Sequence, residues 1–299
     1  MQAPTHDSPH DDALATAVRA ASRAADVIRE EAGTFSEIRE LDQNTVEDKS
    51  TNDFVTETDR AAQKAIIAVL EEEMPGVDVL AEEEDGDSLS AGDLAGDPAN
   101  ALTEDMTGDR WIVDPIDGTT NFMHRLPPYA VSIALQDGDA MAVGVVLDVS
   151  HDVLYTAVRG HGLQRNGRLA RMTETASFSS AFLATGFPYR RFEHTDAYLN
   201  VLAHFIRSTQ GLRRHGSAAI DCARTACGRF DGFYETGLRP WDVAAGVLLI
   251  REGGGRVTTY DGTGGLAPVY QQQICASNGI DAIHQHLLDG LAPMRDIRL

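Results

Sequence analysis

Apolar side chains near the start of the chain fall at Leu14, Ala17, Val18, Ala21, Ala25 and Ile28, steps of three and four that share one face of an amphipathic helix. The pattern predicts that this helix ends near Gly33, before a polar stretch to Asn52 and a short extended piece at residues 54 and 55. A second helix is predicted over 59–74, with Ala62, Ala65, Ile66 and Val69 on its apolar side; Pro75-Gly76 stops it, and 77–80 reads as a strand. Strand patterns follow at 111–113, 131–135, 142–147, 153–158 and 182–185, with Asp137-Gly138 and Asn166-Gly167 as hairpin turns. The second half alternates. Helices are predicted at 199–208, 218–227, 242–252 and 280–291, and extended segments at 232–234, 256–259 and 274–276. Strands in the middle flanked by helices imply stacked sheet and helix layers, an α+β or α/β arrangement, with no internal repeat.

Composition narrows the classes. The chain has 299 residues, 42% of them hydrophobic, enough for a large core and too many for general disorder. Its 25 basic and 46 acidic residues give a formal charge of −21, which argues against binding a nucleic-acid backbone. The longest apolar run, 244–250, is far short of a membrane span. The first twelve residues form a polar, acidic tail without a signal-peptide layout, and the three cysteines (Cys222, Cys227, Cys275) suit a reducing, cytoplasmic setting. Only Lys49 and Lys64 are lysine. An arginine-favouring base composition or a salty cytoplasm accounts equally well for that.

The chemistry concentrates in Asp114-Pro115-Ile116-Asp117-Gly118-Thr119-Thr120-Asn121-Phe122, directly after the apolar run Trp111-Ile112-Val113. Two carboxylates at the carboxyl end of a strand stand where open sheets place their ligands. Asp114, Asp117 and the Ile116 carbonyl could serve hard cations such as Mg²⁺, and Gly118-Thr119-Thr120 could offer N–H groups and hydroxyls to an anion. Alone, the string also reads as an Asp-Pro turn with a helix cap. Glu82-Glu83 ends another strand, Asp242 opens the 243–250 apolar segment, and Asp59 opens the second predicted helix; each alone is a solvated acid or a cap, and together they suggest several metals.

Val55-Thr56-Glu57-Thr58-Asp59, Ala81-Glu82-Glu83, Asp114 to Phe122 and Trp241-Asp242-Val243-Ala244-Ala245-Gly246 resemble, in order, the signatures of the inositol monophosphatase family. Ala184 to Pro188, Gly216 to Ala219 and Ala276 to Gly279 are similar to its lesser motifs. The resemblance implies a layered α/β/α/β/α sandwich of the inositol monophosphatase and fructose-1,6-bisphosphatase type, a lithium-sensitive phosphomonoesterase using two or three Mg²⁺ per subunit, and a homodimer. It implies one phosphatase unit over 13–292, with an N-terminal α+β half (13–187) holding the metals, a C-terminal α/β half (188–292) touching substrate, and an acidic mobile loop at 84–110. By resemblance, Glu82, Asp114, the Ile116 carbonyl, Asp117 and Asp242 hold metals, and Asp59 supports an outer third ion. Glu82 and Thr119 would activate water, with Asp117 part of the same machinery. Gly118 and Thr120 would seat the phosphate, while Gly216, Ser217, Ala218 and Glu235, beside Asp242, would hold substrate hydroxyls.

Two departures stand out: Ala81 replaces the usual glycine, and the stretch between Glu83 and Asp114 is longer than expected. Residues 82–110 carry ten acids against one arginine. The expected substrate is a small polyol phosphate, inositol 1-phosphate first, since Glu235 would repel a second phosphate and accept hydroxyls. Fructose 1,6-bisphosphate, histidinol phosphate and 3′-phosphoadenosine nucleotides are the alternatives, followed by a non-catalytic partner role. Arg190, Arg191, Arg213, Arg214 and Arg239 read as surface ion-pair partners ahead of a second-phosphate pocket. His124 and His215 read as ordinary polar residues, and the cysteines as core.

Overall fold

The computed structural model describes residues 8–41, 48–83, 108–188 and 194–297. Helix α1 (Asp11–Leu41) runs past Gly33, because one glycine costs a helix only about 1 kcal/mol. Helix α2 (Asp48–Glu73) begins well before Asp59, so residues 54 and 55 are helical and Asp59 is no cap. Two residues of strand-favouring type do not outweigh helix on both sides. Two further expectations, on the tail at 1–7 and on the acidic stretch at 84–107, lie outside the described residues.

Strands β1 (Asp78–Ala81), β2 (Arg110–Asp117), β3 (Ala130–Asp137), β4 (Ala140–Asp148), β5 (Val153–Val158), β6 (Leu163–Arg165) and β7 (Arg168–Ala170) form one sheet in chain order. The first pair is parallel and the rest antiparallel. Asn166 (φ 49°) and Gly167 (φ 74°) both take the left-handed conformation a two-residue hairpin requires, and they join β6 to β7, strands too short to register in the hydrophobic pattern. The second sheet has the order β11-β12-β10-β8-β9, from β8 (Phe182–Thr185), β9 (Gly211–Arg213), β10 (Gly232–Thr236), β11 (Arg256–Thr258) and β12 (Gln273–Ser277). The remaining helices are α3 (Thr119–Met123), α4 (Thr195–Ser208), α5 (Ala218–Ala226), α6 (Pro240–Glu252), α7 (Ala267–Tyr270) and α8 (Asp281–Leu291).

Three apolar clusters set the layers. Leu14, Ala21 and Ile28 of α1 and Ile66 of α2 pack on Trp111, Val131, Ile133 and Val145 of the larger sheet. Ala130, Ala134 and Val146 on its other face meet α5 and α6, which in turn cover Ala184, Phe233 and Ile274 of the smaller sheet. Leu183, Tyr234 and Cys275 on the far side of that sheet meet Tyr198, Phe205, Ile283 and Leu287 of α4 and α8. The order is helix, sheet, helix, sheet, helix. Helix α6 lies between two sheets, so residues 243–250 are buried all round and show no polar face. A Cβ on Gly246 would lie 2.4 Å from the Cβ of Cys222, so only glycine lets α5 and α6 approach this closely.

Candidate active site

The acidic string is not a loop after β2; it is the end of the strand. Asp114 pairs with Ser132 and Asp117 with Ala130, three residues on β2 against two on β3. In a regular strand residues three apart point to opposite faces, and the extra residue of this bulge returns Asp117 to the face of Asp114. Gly118 then turns the chain at φ 94°, where a Cβ would stand 3.1 Å from the Pro128 carbonyl oxygen and 3.3 Å from that of Gly216. The Thr119 hydroxyl donates to the Ile116 carbonyl (3.0 Å).

Other elements converge on this strand end. Ser217 caps α5, and its hydroxyl (2.5 Å) with the Ala218 and Ala219 N–H groups (3.3 and 2.8 Å) donates to the Asp117 carboxylate. Asn121 donates to the Pro128 and His215 carbonyls, 2.8 Å each, tying α3 to the segment before Ser217. The Ser132 hydroxyl donates to the Trp241 carbonyl (3.2 Å), fastening β3 to the start of α6. Asp242 is the third residue of α6 rather than its cap, and it accepts from the Arg239 N–H (2.6 Å).

These elements enclose a cavity of about 380 Å³. Glu82, Asp114, Ile116, Asp117, Gly118, Thr119, Thr120, Gly216, Ser217, Ala218, Glu235 and Asp242, singled out from the sequence, all line it. Asp59 does not; it stands behind them on α2, 3% exposed. Asp114, Asp117 and Asp242 each bring one carboxylate oxygen within 4.8 Å of the other two.

Crowding of like charge away from water marks the site. Burial first, then Asp242 and Glu83, push Glu82 up to about 8. Burial, then Glu82 and Glu83, push Asp59 up to about 8. Asp117 rises only to about 7, through burial and Asp242, because Ser217 and the two N–H groups stabilise its charge. Asp114 lies well above the usual range, through burial and then the four acids around it. One buried oxygen each of Asp114 and Asp59 has no hydrogen-bond partner among the described residues. Oxygen donors that are buried, mutually repelling and unpartnered suit a hard divalent cation, so the residues fit the metal implied by their pattern.

Across the cavity, burial and then Asp221, Asp242 and Asp117 hold Glu235 well above the usual range, opposed by Arg214. Arg214 and Arg239 line the cavity, a correction to their reading as surface partners. Arg213 stands 4.7 Å from the centre of the Phe182 ring, and Arg190 and Arg191 lie outside the described residues. His215 pairs with Asp221 (2.6 Å) and His124 is exposed; neither lines the cavity. The three cysteines pack in the apolar clusters. Sequence reading missed Ser132 and Gln272. Gln272 lines the cavity in a left-handed conformation (φ 57°), unusual for glutamine and without any local signal in the chain.

Comparison with known proteins gives a consistent result. The model of the inositol monophosphatase family matches residues 10–296. The chain is 40% identical over 252 residues to the Nus factor SuhB of Pseudomonas aeruginosa, covering 84% of this chain and 86% of that one. It is 39% identical over 228 residues to an inositol-1-monophosphatase of Mesorhizobium japonicum, 76% of this chain and 79% of that one. The fold superposes on the inositol monophosphatase of Anabaena with a TM-score of 0.76 at 34% identity, covering 95% and 97% of the two chains.

Proposed function

This chain belongs to the inositol monophosphatase family, and from that premise we propose that its cavity hydrolyses a small polyol phosphate monoester, inositol 1-phosphate first, with Mg²⁺ as the metal. The observation that carries the reading is the cluster of Asp114, Asp117 and Asp242 at the end of β2, with one buried oxygen of Asp114 unpartnered. Glu82, Asp114, the Ile116 carbonyl, Asp117 and Asp242 would hold two ions, with Asp59 behind a third. Bound there, Mg²⁺ would supply the positive charge that makes water a nucleophile near neutral pH and offsets charge on the phosphate.

The chain's own residues do the rest. Glu82 accepts a proton from the attacking water, and Thr119 beside the Ile116 carbonyl orients that water. Gly118 and Thr120 seat the phosphate. Glu235 with Gly216, Ser217 and Ala218 receives the leaving group's hydroxyls. The slow uncatalysed reaction leaves positioning and charge stabilisation as the main tasks. The reading includes a single working unit over 13–292, a cytoplasmic setting and a homodimer; no described helix is long and apolar enough to cross a membrane.

Two specific observations favour other readings. Arg214 and Arg239 in the cavity favour a substrate with a second anionic group, as in fructose 1,6-bisphosphate or a 3′-phosphoadenosine nucleotide. Relatives named Nus factor favour a role of that kind, with or without catalysis. Phosphate release with Mg²⁺ from inositol 1-phosphate, fructose 1,6-bisphosphate, histidinol phosphate and 3′-phosphoadenosine 5′-phosphate, with and without lithium, separates them. Preference for inositol 1-phosphate with lithium inhibition supports the main reading. Preference for another ester shifts attention to the two arginines, and release from none leaves the Nus-factor role.

A further inference from the structure

Helix α2 supplies more than Asp59. One turn further on, at the i+4 position of the same face, Gln63 is fully buried. Its carboxamide Nε2 donates to the Glu83 carbonyl (2.8 Å), and its Oε1 accepts from the Glu83 N–H (3.0 Å). Strand β1 ends at Ala81, so Glu82 lies beyond the ladder that holds the strand to β2. Gln63 takes over at that point as a strand neighbour would, satisfying both main-chain groups of one residue. The N–H it grips belongs to the peptide group that follows the Glu82 Cα, so the clamp holds the main chain from which the Glu82 side chain leaves. Arg60, on the turn before, puts its Nε 3.7 Å from a Glu83 carboxylate oxygen and steadies the same segment.

We propose that Gln63 is a positioning residue for the metal site: by clamping the main chain of Glu83 it aims the Glu82 carboxylate at Asp114 and Asp242, so that one helix sets two of the site's acids. This rests on the assignment of Glu82 as a metal ligand. Residues behind metal ligands commonly govern affinity by about 10–100-fold, because they fix ligand direction.

The test uses Gln63→Met, which keeps the side chain's length and removes both hydrogen bonds, with Gln136→Met as the control. Gln136 is equally buried, pairs with Arg110 at the other end of β2, and among the described residues accepts from Tyr270 (2.5 Å) and donates to the Gly138 carbonyl (2.9 Å). Mg²⁺ is titrated calorimetrically into the full-length, substrate-free proteins. The expected result is a Kd raised about tenfold or more for Gln63→Met and unchanged for the control. The KM for inositol 1-phosphate at saturating Mg²⁺ should stay within about twofold. Gln63→Asn keeps the carboxamide but is one methylene shorter than the reach to the Glu83 main chain, so it should fall between, and it carries the test if the methionine variant does not fold. Unaltered Mg²⁺ affinity in the Gln63 variants, or an equal loss in the Gln136 control, overturns the proposal. A wild type that binds Mg²⁺ and hydrolyses no ester would sink the enzymatic reading and leave this one standing; a wild type that binds no Mg²⁺ ends both.

Discussion

Two of the groups of buried polar residues in this molecule are built on opposite terms. Against the smaller sheet, His284 of α8 places one ring nitrogen 3.0 Å from the Thr258 hydroxyl and the other 2.9 Å from that of Ser277. Nearby, Asp231 accepts from the Thr173 hydroxyl (2.5 Å) and the Phe182 N–H (2.7 Å). Each of these groups has its partners, which is how folds accommodate polarity. At the end of β2 and on α2 behind it the terms are reversed: Asp114 and Asp59 are as deeply buried, and an oxygen of each has no partner among the described residues. Asp117, the best-satisfied acid there, is also less raised than Glu82 and Asp59. Unpartnered buried atoms occur elsewhere too, such as Gln273 Oε1 in the smaller sheet; what sets the acids apart is that theirs are crowded carboxylate oxygens, the donors a cation takes.

Substitutions can break that contrast. The largest effect is expected from Asp242→Asn. It should lower phosphate release by more than the roughly hundredfold range seen for residues behind a metal ligand. The variant should lose no melting temperature, since an amide oxygen still accepts from the Arg239 N–H and a charge that crowds Glu82 and Asp117 is gone. Asp231→Ala is the mirror case. Stranding the Phe182 N–H and the Thr173 hydroxyl should cost about 3 kcal/mol in urea unfolding, with turnover per folded molecule unchanged. Asp114→Asn, whose amide is neutral without holding a proton that the unfolded chain would release, should stabilise the metal-free protein by about 1 kcal/mol at neutral pH and abolish stabilisation by Mg²⁺.

The smallest effects are in pH dependence, and they sharpen the comparison because the two regions have opposite slopes. In metal-free protein Glu82 and Asp59 hold protons up to about 8, which the unfolded chain releases above about pH 4–5. Stability conferred by this region therefore declines as pH rises through that window, and Mg²⁺ should raise the melting temperature most at its upper end. His284, kept neutral by burial, titrates at about 4 in the fold against about 6.5 in the unfolded chain. Its contribution is complete above about pH 6.5 and is lost as pH falls toward 4. Urea midpoints in chelator from pH 4 to 8 should show both limbs, and His284→Gln should flatten only the acid one.

Much of this was legible in the chain. Runs such as 153–158 and 182–185 matched their strands because the alternation of the side chains is local. Helix ends were harder: Gly33 and the 54–55 pair looked like punctuation and were carried through by the helix around them. Strands β6, β7 and β9, three residues each, were too short for any period to show. In the site the donor types were readable from their strings, whereas Ser132, Gln272 and the clamp at Gln63 carried no local mark. Arg214 and Arg239 looked like any surface arginine until the chain brought them to the cavity wall.

The sequence by itself determined the alternating elements, since periodicity is written locally, and through the resemblance of its motif strings it implied the five-layer arrangement and the set of acids. Only the tertiary structure decided that Asp114 and Asp117 share a face, through a one-residue bulge, and that Asp242 meets them from a helix more than a hundred residues away. It also decided that Asp59 stands behind the cavity on the middle of a helix. The physical reason is that an acid at an element's end looks the same in sequence whether it caps a helix, faces water or repels its neighbours in a buried cluster. Burial and distance distinguish these, and both arise only when the layers pack.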